Sequence, residues 1–171
     1  MRALTTLFLA LFILGCEHTY EVQRTNVGTE KLKSSGSAYV ALPNDGRFEQ
    51  TLYHGSGKKL ANAILIAFSP YLKTVVIGEK IERLDQALKT AGNGNHTYLI
   101  YPEILHWEDR ATEWSGKQDR IIVKVTLTNV ATGETLDSGI IKGTSKWGTW
   151  GGDHPEDLLA EPLNNYAVSL F

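Results

Sequence analysis

Between two short apolar runs, Ser37 to Pro43 and Thr74 to Ile77, the residues Leu60, Ala63, Ile64, Ala67, Phe68 and Tyr71 recur at i, i+3, i+4, i+7, i+8 and i+11. That spacing puts all six on one face of an α-helix. The flanking runs are too short to be helices, and the first is stopped by Pro43-Asn44-Asp45-Gly46, so both read as buried strands. Strand, one-faced helix and strand make a βαβ unit, whose right-handed crossover leaves its two strands parallel. A parallel pair needs helices to cover it, which places the chain among α/β folds.

The remaining pattern extends this unit. Ile81, Leu84, Leu88 and Ala91 predict a second helix, closed by Gly92-Asn93-Gly94. Tyr98 to Trp107 reads as a third strand. In the fourth, Arg120 to Asn129, Ile122, Lys124, Thr126 and Thr128 alternate with Ile121, Val123, Val125 and Leu127. Ala131-Thr132-Gly133-Glu134 is a hairpin turn leading to a fifth strand, Thr135 to Ser145. A last helix opens with Asp153 as N-cap, Pro155 in its first turn and Glu156 three residues after the cap. Leu158, Leu159, Leu163, Tyr166, Ala167 and Leu170 form its apolar face, and Pro162 divides it in two. The expectation is an α/β fold with a single mixed five-stranded sheet in the order β-α-β-α-β-β-β-α, helices packed on the sheet. Its first three strands are parallel and its fourth lies between the third and fifth. Residues 37–171 form one domain, with no internal repeat.

Ahead of that domain, Met1-Arg2 is followed by an apolar run, Ala3 to Leu14, ending in Gly15-Cys16. The run reads as a secretion signal over residues 1–15 and falls short of the roughly 20 apolar residues a membrane-spanning helix needs. The single cysteine sits where the apolar run stops, directly after a small residue. This resembles the bacterial lipobox, although Ile13 stands where that pattern prefers Leu and Leu14 where it prefers Ala or Ser. The resemblance implies that Cys16 becomes the acylated first residue of the mature chain, anchored to a lipid bilayer with each buried CH2 adding about 0.8 kcal/mol. A plain signal peptide containing a cysteine is the alternative. Glu17, in the place where Asp favours inner-membrane retention, implies an outer-membrane lipoprotein facing the periplasm. His18 to Gly36 is polar and without periodicity, so residues 16–36 read as a lipidated N-terminus and flexible tether.

Seventeen Lys and Arg residues against nineteen Asp and Glu leave no basic face for nucleic acid. One cysteine excludes an internal disulfide and any zinc site built on two or more cysteines. His18, His54, His96, His106 and His154 are scattered without a metal-ligand spacing, so neither a metal nor a cofactor is expected. Ser56 near His54 lacks the Gly-x-Ser-x-Gly pattern of a nucleophile elbow.

All four tryptophans fall in two segments, Trp107 with Trp114 and Trp147 with Trp150. The expected topology brings the two segments to one sheet edge, beside the Asn44 to Arg47 loop and Gly55 to Gly57, with Gly133 at the opposite edge. That is where open α/β sheets usually place ligands. One reading is a recognition surface of Trp107, Trp114, Trp147 and Trp150 with Asp45, Arg47, Asp109, Arg110 and Asp119 as polar neighbours. The other is a structural lid, in which the tryptophans are packed and Glu108, Asp109, Arg110 and Glu113 form solvated ion pairs worth about 0 to 1 kcal/mol each. Ser56, Gly57 and Lys58 at the start of the first helix form a fainter anion-site signal, which Ser56 as a simple N-cap also explains. Together these features point to a non-catalytic docking or binding module, with an envelope protein or cell-wall partner. A periplasmic hydrolase or small-anion-binding protein using the same edge is the alternative.

Tyr20-Glu21-Val22-Gln23-Arg24-Thr25, the segment Trp107 to Gly116 and the segment Gly151 to Leu159 resemble a family of uncharacterised proteobacterial lipoproteins, domain of unknown function (DUF) 4823. The resemblance implies an envelope lipoprotein and carries no catalytic or binding residue across. In topology the chain is also similar to the amino-terminal domain of TolB and related envelope lipoprotein domains, which is a likeness of fold alone.

Overall fold

A computed structural model describes residues 18–28, 30–110, 118–146 and 154–171. In chain order its elements are β1 (Thr19–Asn26), β2 (Ser37–Leu42), β3 (Arg47–Phe48), β4 (Thr51–Leu52), α1 (Ser56–Phe68), β5 (Thr74–Ile81), α2 (Leu84–Asn93), β6 (Tyr98–Glu108), β7 (Arg120–Asn129) and β8 (Thr135–Thr144). A 3-10 helix, Pro155–Leu158, and α3 (Ala160–Val168) follow. The principal sheet runs β1-β8-β7-β6-β2-β5, and β3 with β4 forms a separate small hairpin.

The βαβ reasoning holds. β2 pairs in parallel with β5 on one side and with β6 on the other, and β7 lies antiparallel between β6 and β8. α1 and α3 cover one face, burying Leu60, Ile64, Phe68, Leu163 and Tyr166 against Ile100, Ile121, Val123, Val125, Leu127 and Ile141. The alternation read in β7 is realised as far as Leu127: Ile121, Val123, Val125 and Leu127 are buried, while Ile122, Lys124 and Thr126 are only half covered, but Thr128 is buried as well, at the register shift that follows Leu127. α2 covers the other face through Ala87 and Ala91, which pack on Tyr39, Ala41 and Leu99.

Three expectations are corrected. The sheet has six strands, because the segment read as a flexible tether contains β1, paired antiparallel with β8 from Thr19↔Thr144 to Asn26↔Ser138. Its only aliphatic residue is Val22, so it shows no apolar alternation. Its attachment comes from Tyr20 against the core and from the Arg24 guanidinium on the buried Asp137 carboxylate. The rest of the expected tether also docks: Leu32 is buried, and its amide donates to the Leu170 carbonyl at 2.9 Å. In α2 the inward face differs in part from the one read: Ala91 is buried and Leu88 packs beside it, but Ile81 belongs to β5, Leu84 is half exposed, and Ala87 is fully buried in their place.

The last helix is in two pieces, as Pro162 suggested, but the break lies at Leu159. Pro162 is the third residue of α3, where its missing amide removes no intrahelical bond. Asp153, the expected cap, lies outside the described residues. The amide of His154 donates instead to Asp157 Oδ2 at 3.0 Å. At the β7–β8 turn Gly133 has φ 71°, a left-handed conformation that favours glycine.

Candidate functional site

β2, β5 and β6 end, and β7 begins, at one end of the sheet, with β8 ending and β1 starting there too. The Asn44 to Arg47 loop and the start of α1 lie at this end, and Gly133 at the other, as expected from the strand order. Within this edge Asp45 accepts the Gly57 amide at 2.9 Å on Oδ1 and the Gly55 amide at 3.1 Å on Oδ2. Ser56 is 1% exposed, and its Oγ accepts the Gly46 amide at 2.8 Å. The N-terminal amides read as a possible anion site are therefore occupied by the chain's own carboxylate. Ser56 ties the loop down rather than capping the helix, for which Gly55 is the N-cap at φ 83°. Lys58 is exposed and points to no described partner, and Lys59 pairs with Glu156 across to the 3-10 helix.

Trp107 is packed rather than displayed. It is 2% exposed on the helix-covered face, with Gly46 so close that a Cβ there would overlap the Trp107 Cβ and the Ile104 side chain. For this tryptophan the lid reading holds. Trp114, Trp147 and Trp150 lie outside the described residues, as does Cys16.

On the opposite face of β6, His106 and Glu108 stand side by side past the bulge at Leu105. The Glu108 carboxylate is 4% exposed; Oε2 meets His106 Nε2 at 3.1 Å, and Oε1 is paired with Arg110. Burial acts to raise Glu108, but the bonds from His106 and Arg110 outweigh it and hold the group below the ordinary carboxylate value. Arg110 also stacks over Phe48, its Cζ 5.3 Å from the ring centre, while His106 meets the same ring edge-on at 5.0 Å. The Arg110 amide donates to Asp119 Oδ1 at 2.6 Å, and the Asp119 amide to Ser145 Oγ at 2.8 Å. Asp45, Arg110 and Asp119 thus lie at the end of the sheet that the strand order implied, joined by Phe48, which the sequence did not single out; Arg47 stands exposed beside them, and Asp109 keeps Oδ1 without a hydrogen-bond partner. Glu108 is not a solvated surface charge but the centre of a buried network. His106 was legible as its neighbour, since residues i and i+2 of a strand share a face.

A second polar centre went unread. Glu82, at the end of β5, accepts the Tyr39 hydroxyl at 2.8 Å and the Thr90 hydroxyl at 2.8 Å, and its backbone carbonyl accepts the Tyr101 hydroxyl at 3.2 Å. It lies beside a cleft of about 180 Å³ bounded by Leu42, Asn44, Ile81, Glu103 and Leu105. Its partners come from three elements, β2, α2 and β6, so no local motif announces it. Among the described residues no group of three or more His, Cys, Asp or Glu side chains is arranged to hold a metal, and no helix is long and apolar enough to cross a membrane.

No curated protein sequence matches the chain. Solved structures share its fold at low identity. The PelC dodecamer from Paraburkholderia phytofirmans aligns with TM-score 0.62 and 16% identity over 86% of this chain and 96% of that one. Protein XCC0632 from Xanthomonas campestris, of family DUF330, aligns with TM-score 0.54 and 13% identity over 86% and 91%. Lipoprotein GNA1162 from Neisseria meningitidis aligns with TM-score 0.54 and 13% identity over 78% and 99%. The model of a domain of unknown function, DUF4823, matches residues 30–170, from the docked segment before β2 to the end of α3, and the chain belongs to that family.

Proposed function

We propose that this protein is an envelope lipoprotein, acylated at Cys16 and facing the periplasm from the outer membrane, whose domain docks an envelope protein without catalysing a reaction. The observation that carries docking is the half of the sheet that no described helix covers. α2 packs mainly on β2 and β6, and among the described residues β7, β8 and β1 present on that side a continuous face bearing Ile122, Ile140, Lys124, Lys142 and Glu21. Two cross-strand ion pairs, Lys124 with Glu103 at 3.1 Å and Lys142 with Glu21 at 3.0 Å, border the two half-covered isoleucines. A rigid surface with an apolar centre and a charged rim is the anatomy of a protein interface.

The hydrolase and anion-binding readings draw less support. Asp45, Glu108 and Asp119 are engaged in fixing loops, and the α1 amides already hold a carboxylate. Likeness of fold to a lipoprotein and to a dodecameric protein makes envelope attachment and self-association the natural contexts for a docking face. A photo-crosslinking residue at Ile122 or Ile140 in native membranes should give a discrete adduct that is lost when Lys124 and Lys142 are reversed to Glu. The same residue at the exposed Glu161 of α3 should give none. No adduct at either isoleucine would overturn the docking reading. Mass spectrometry of membrane-extracted protein should show diacyl or triacyl mass on a peptide starting at Cys16, and an unmodified thiol would overturn the anchor.

A further inference from the structure

Residues Thr19, Thr144, Arg120 and Glu108 form one row across the sheet, each the register partner of the next, at the end where β6 and β8 finish and β7 begins. Strand β1 therefore starts at the same end as the loop edge built from Asp45, Phe48, Arg110 and Asp119. Only Glu17 and His18 separate Thr19 from Cys16. Three residue steps of fully extended chain reach at most about 11 Å. The headgroup layer on each side of a bilayer is itself about 5 to 8 Å thick.

We infer that the loop edge of the sheet is held against the lipid headgroups by this short leash, and that the β7–β8 turn at Gly133 faces away from the membrane. The inference rests on acylation of Cys16 and deepens the reading given above. It follows from β1 being a strand: a free tether over residues 16–36 would let the domain stand off in any orientation, whereas pairing from Thr19 onward removes that slack. Nine residue steps along β7, from Arg120 to Asn129, span about 30 Å. One end of the sheet is thus at the bilayer, and the other lies about a bilayer core's thickness away from it. The docking face, which runs along the strands, stands beside the membrane rather than against it, and a protein partner approaches from the side.

Because Cys16 is the chain's only cysteine and acylation consumes its thiol, a single introduced cysteine can be labelled cleanly. Full-length acylated protein carrying Arg120→Cys or Ala131→Cys, each labelled with an environment-sensitive fluorophore, would be reconstituted in vesicles of phosphatidylethanolamine and phosphatidylglycerol containing a nitroxide-headgroup lipid. The label at Arg120 should be quenched several-fold more than the label at Ala131. Inserting a 20-residue Gly-Ser linker between Glu17 and His18, with an expected r.m.s. span of about 25 Å, should erase the difference. Acylated protein that floats with the vesicles yet shows equal quenching at both positions overturns the orientation and leaves the anchor intact. Quenching at Arg120 that survives the insertion overturns the leash as its cause. Protein that fails to float overturns the anchor and the orientation together.

Discussion

Asp45 caps helix α1 from outside the helix, its Oδ1 2.9 Å from the amide of Gly57. A carboxylate at a helix N-terminus satisfies orphan donors and meets the positive end of the helix dipole. Asp45→Ala should lower stability by about 0.5 to 2 kcal/mol, read as a shift in urea midpoint, because two amides lose their acceptor. Asp45→Asn should lose less, retaining one oxygen acceptor. Equal stability of Asp45→Ala and the wild type would show that the loop contributes nothing to the helix.

Gly57 is the point at which that loop touches the helix. A Cβ there would overlap the Pro43 carbonyl oxygen and crowd Asn44. In a solvent-facing helix Gly→Ala gains about 1 kcal/mol. Here the overlap with backbone should win, and Gly57→Ala should destabilise by about 1 to 3 kcal/mol. A thermal melt that moves upward would show that the loop yields to the added methyl.

Much of this architecture was legible because one-sided burial writes itself into spacing. Leu60 to Phe68 and the alternation of Ile121 to Leu127 each carry a buried face, so period and chain order suffice to place them. What stayed hidden is held by distant pairs. β1 has one aliphatic residue and is secured by Arg24 on Asp137, 113 positions away. Asp45 reaches α1 from before the β3–β4 hairpin, so a local search for caps finds Ser56 instead. Trp107 illustrates a different ambiguity: an aromatic residue at a strand end serves equally as surface or core until the facing element is known, and here Gly46 closes over it.

Asp137, 1% exposed, takes three donors: the Arg24 guanidinium, the Tyr166 hydroxyl at 2.7 Å and the Gly28 amide at 3.3 Å. The cluster joins β1, β8 and α3. Tyr166→Phe leaves the ring in the core but deprives the carboxylate of one donor, at a cost of about 1.5 to 3 kcal/mol. Arg24→Gln removes the only cation paired with Asp137 among the described residues and should loosen β1 first. Amide exchange would report this as lost protection over Thr19–Asn26 while β7 stays protected. Uniform loss of protection across the sheet would show that β1 is integral to the global unfolding unit.

The Glu82 and Glu108 networks should make stability depend on pH. The Thr90 hydroxyl holds Glu82 below its ordinary 4.5, with the Tyr39 hydroxyl helping and burial opposing. At Glu108 burial is the largest influence and works upward, yet the His106 and Arg110 bonds carry the group below 4.5. A carboxylate depressed in the folded state binds its proton more readily when unfolded, so its contribution is present above 4.5 and lost as the pH falls through the folded values. Tyr39 works in the opposite sense. Burial, followed by its bond to Glu82, raises it from 10.0 to about 12, so its contribution is present below 10.0 and fades as the pH climbs towards about 12. Urea midpoints measured across pH should fall at both ends for the wild type. Glu82→Gln should start lower at neutral pH and fall less steeply on acidification, and Tyr39→Phe should flatten the fall between 10.0 and about 12. An acid limb identical in wild type, Glu82→Gln and Glu108→Gln would place the acid-labile group elsewhere in the molecule.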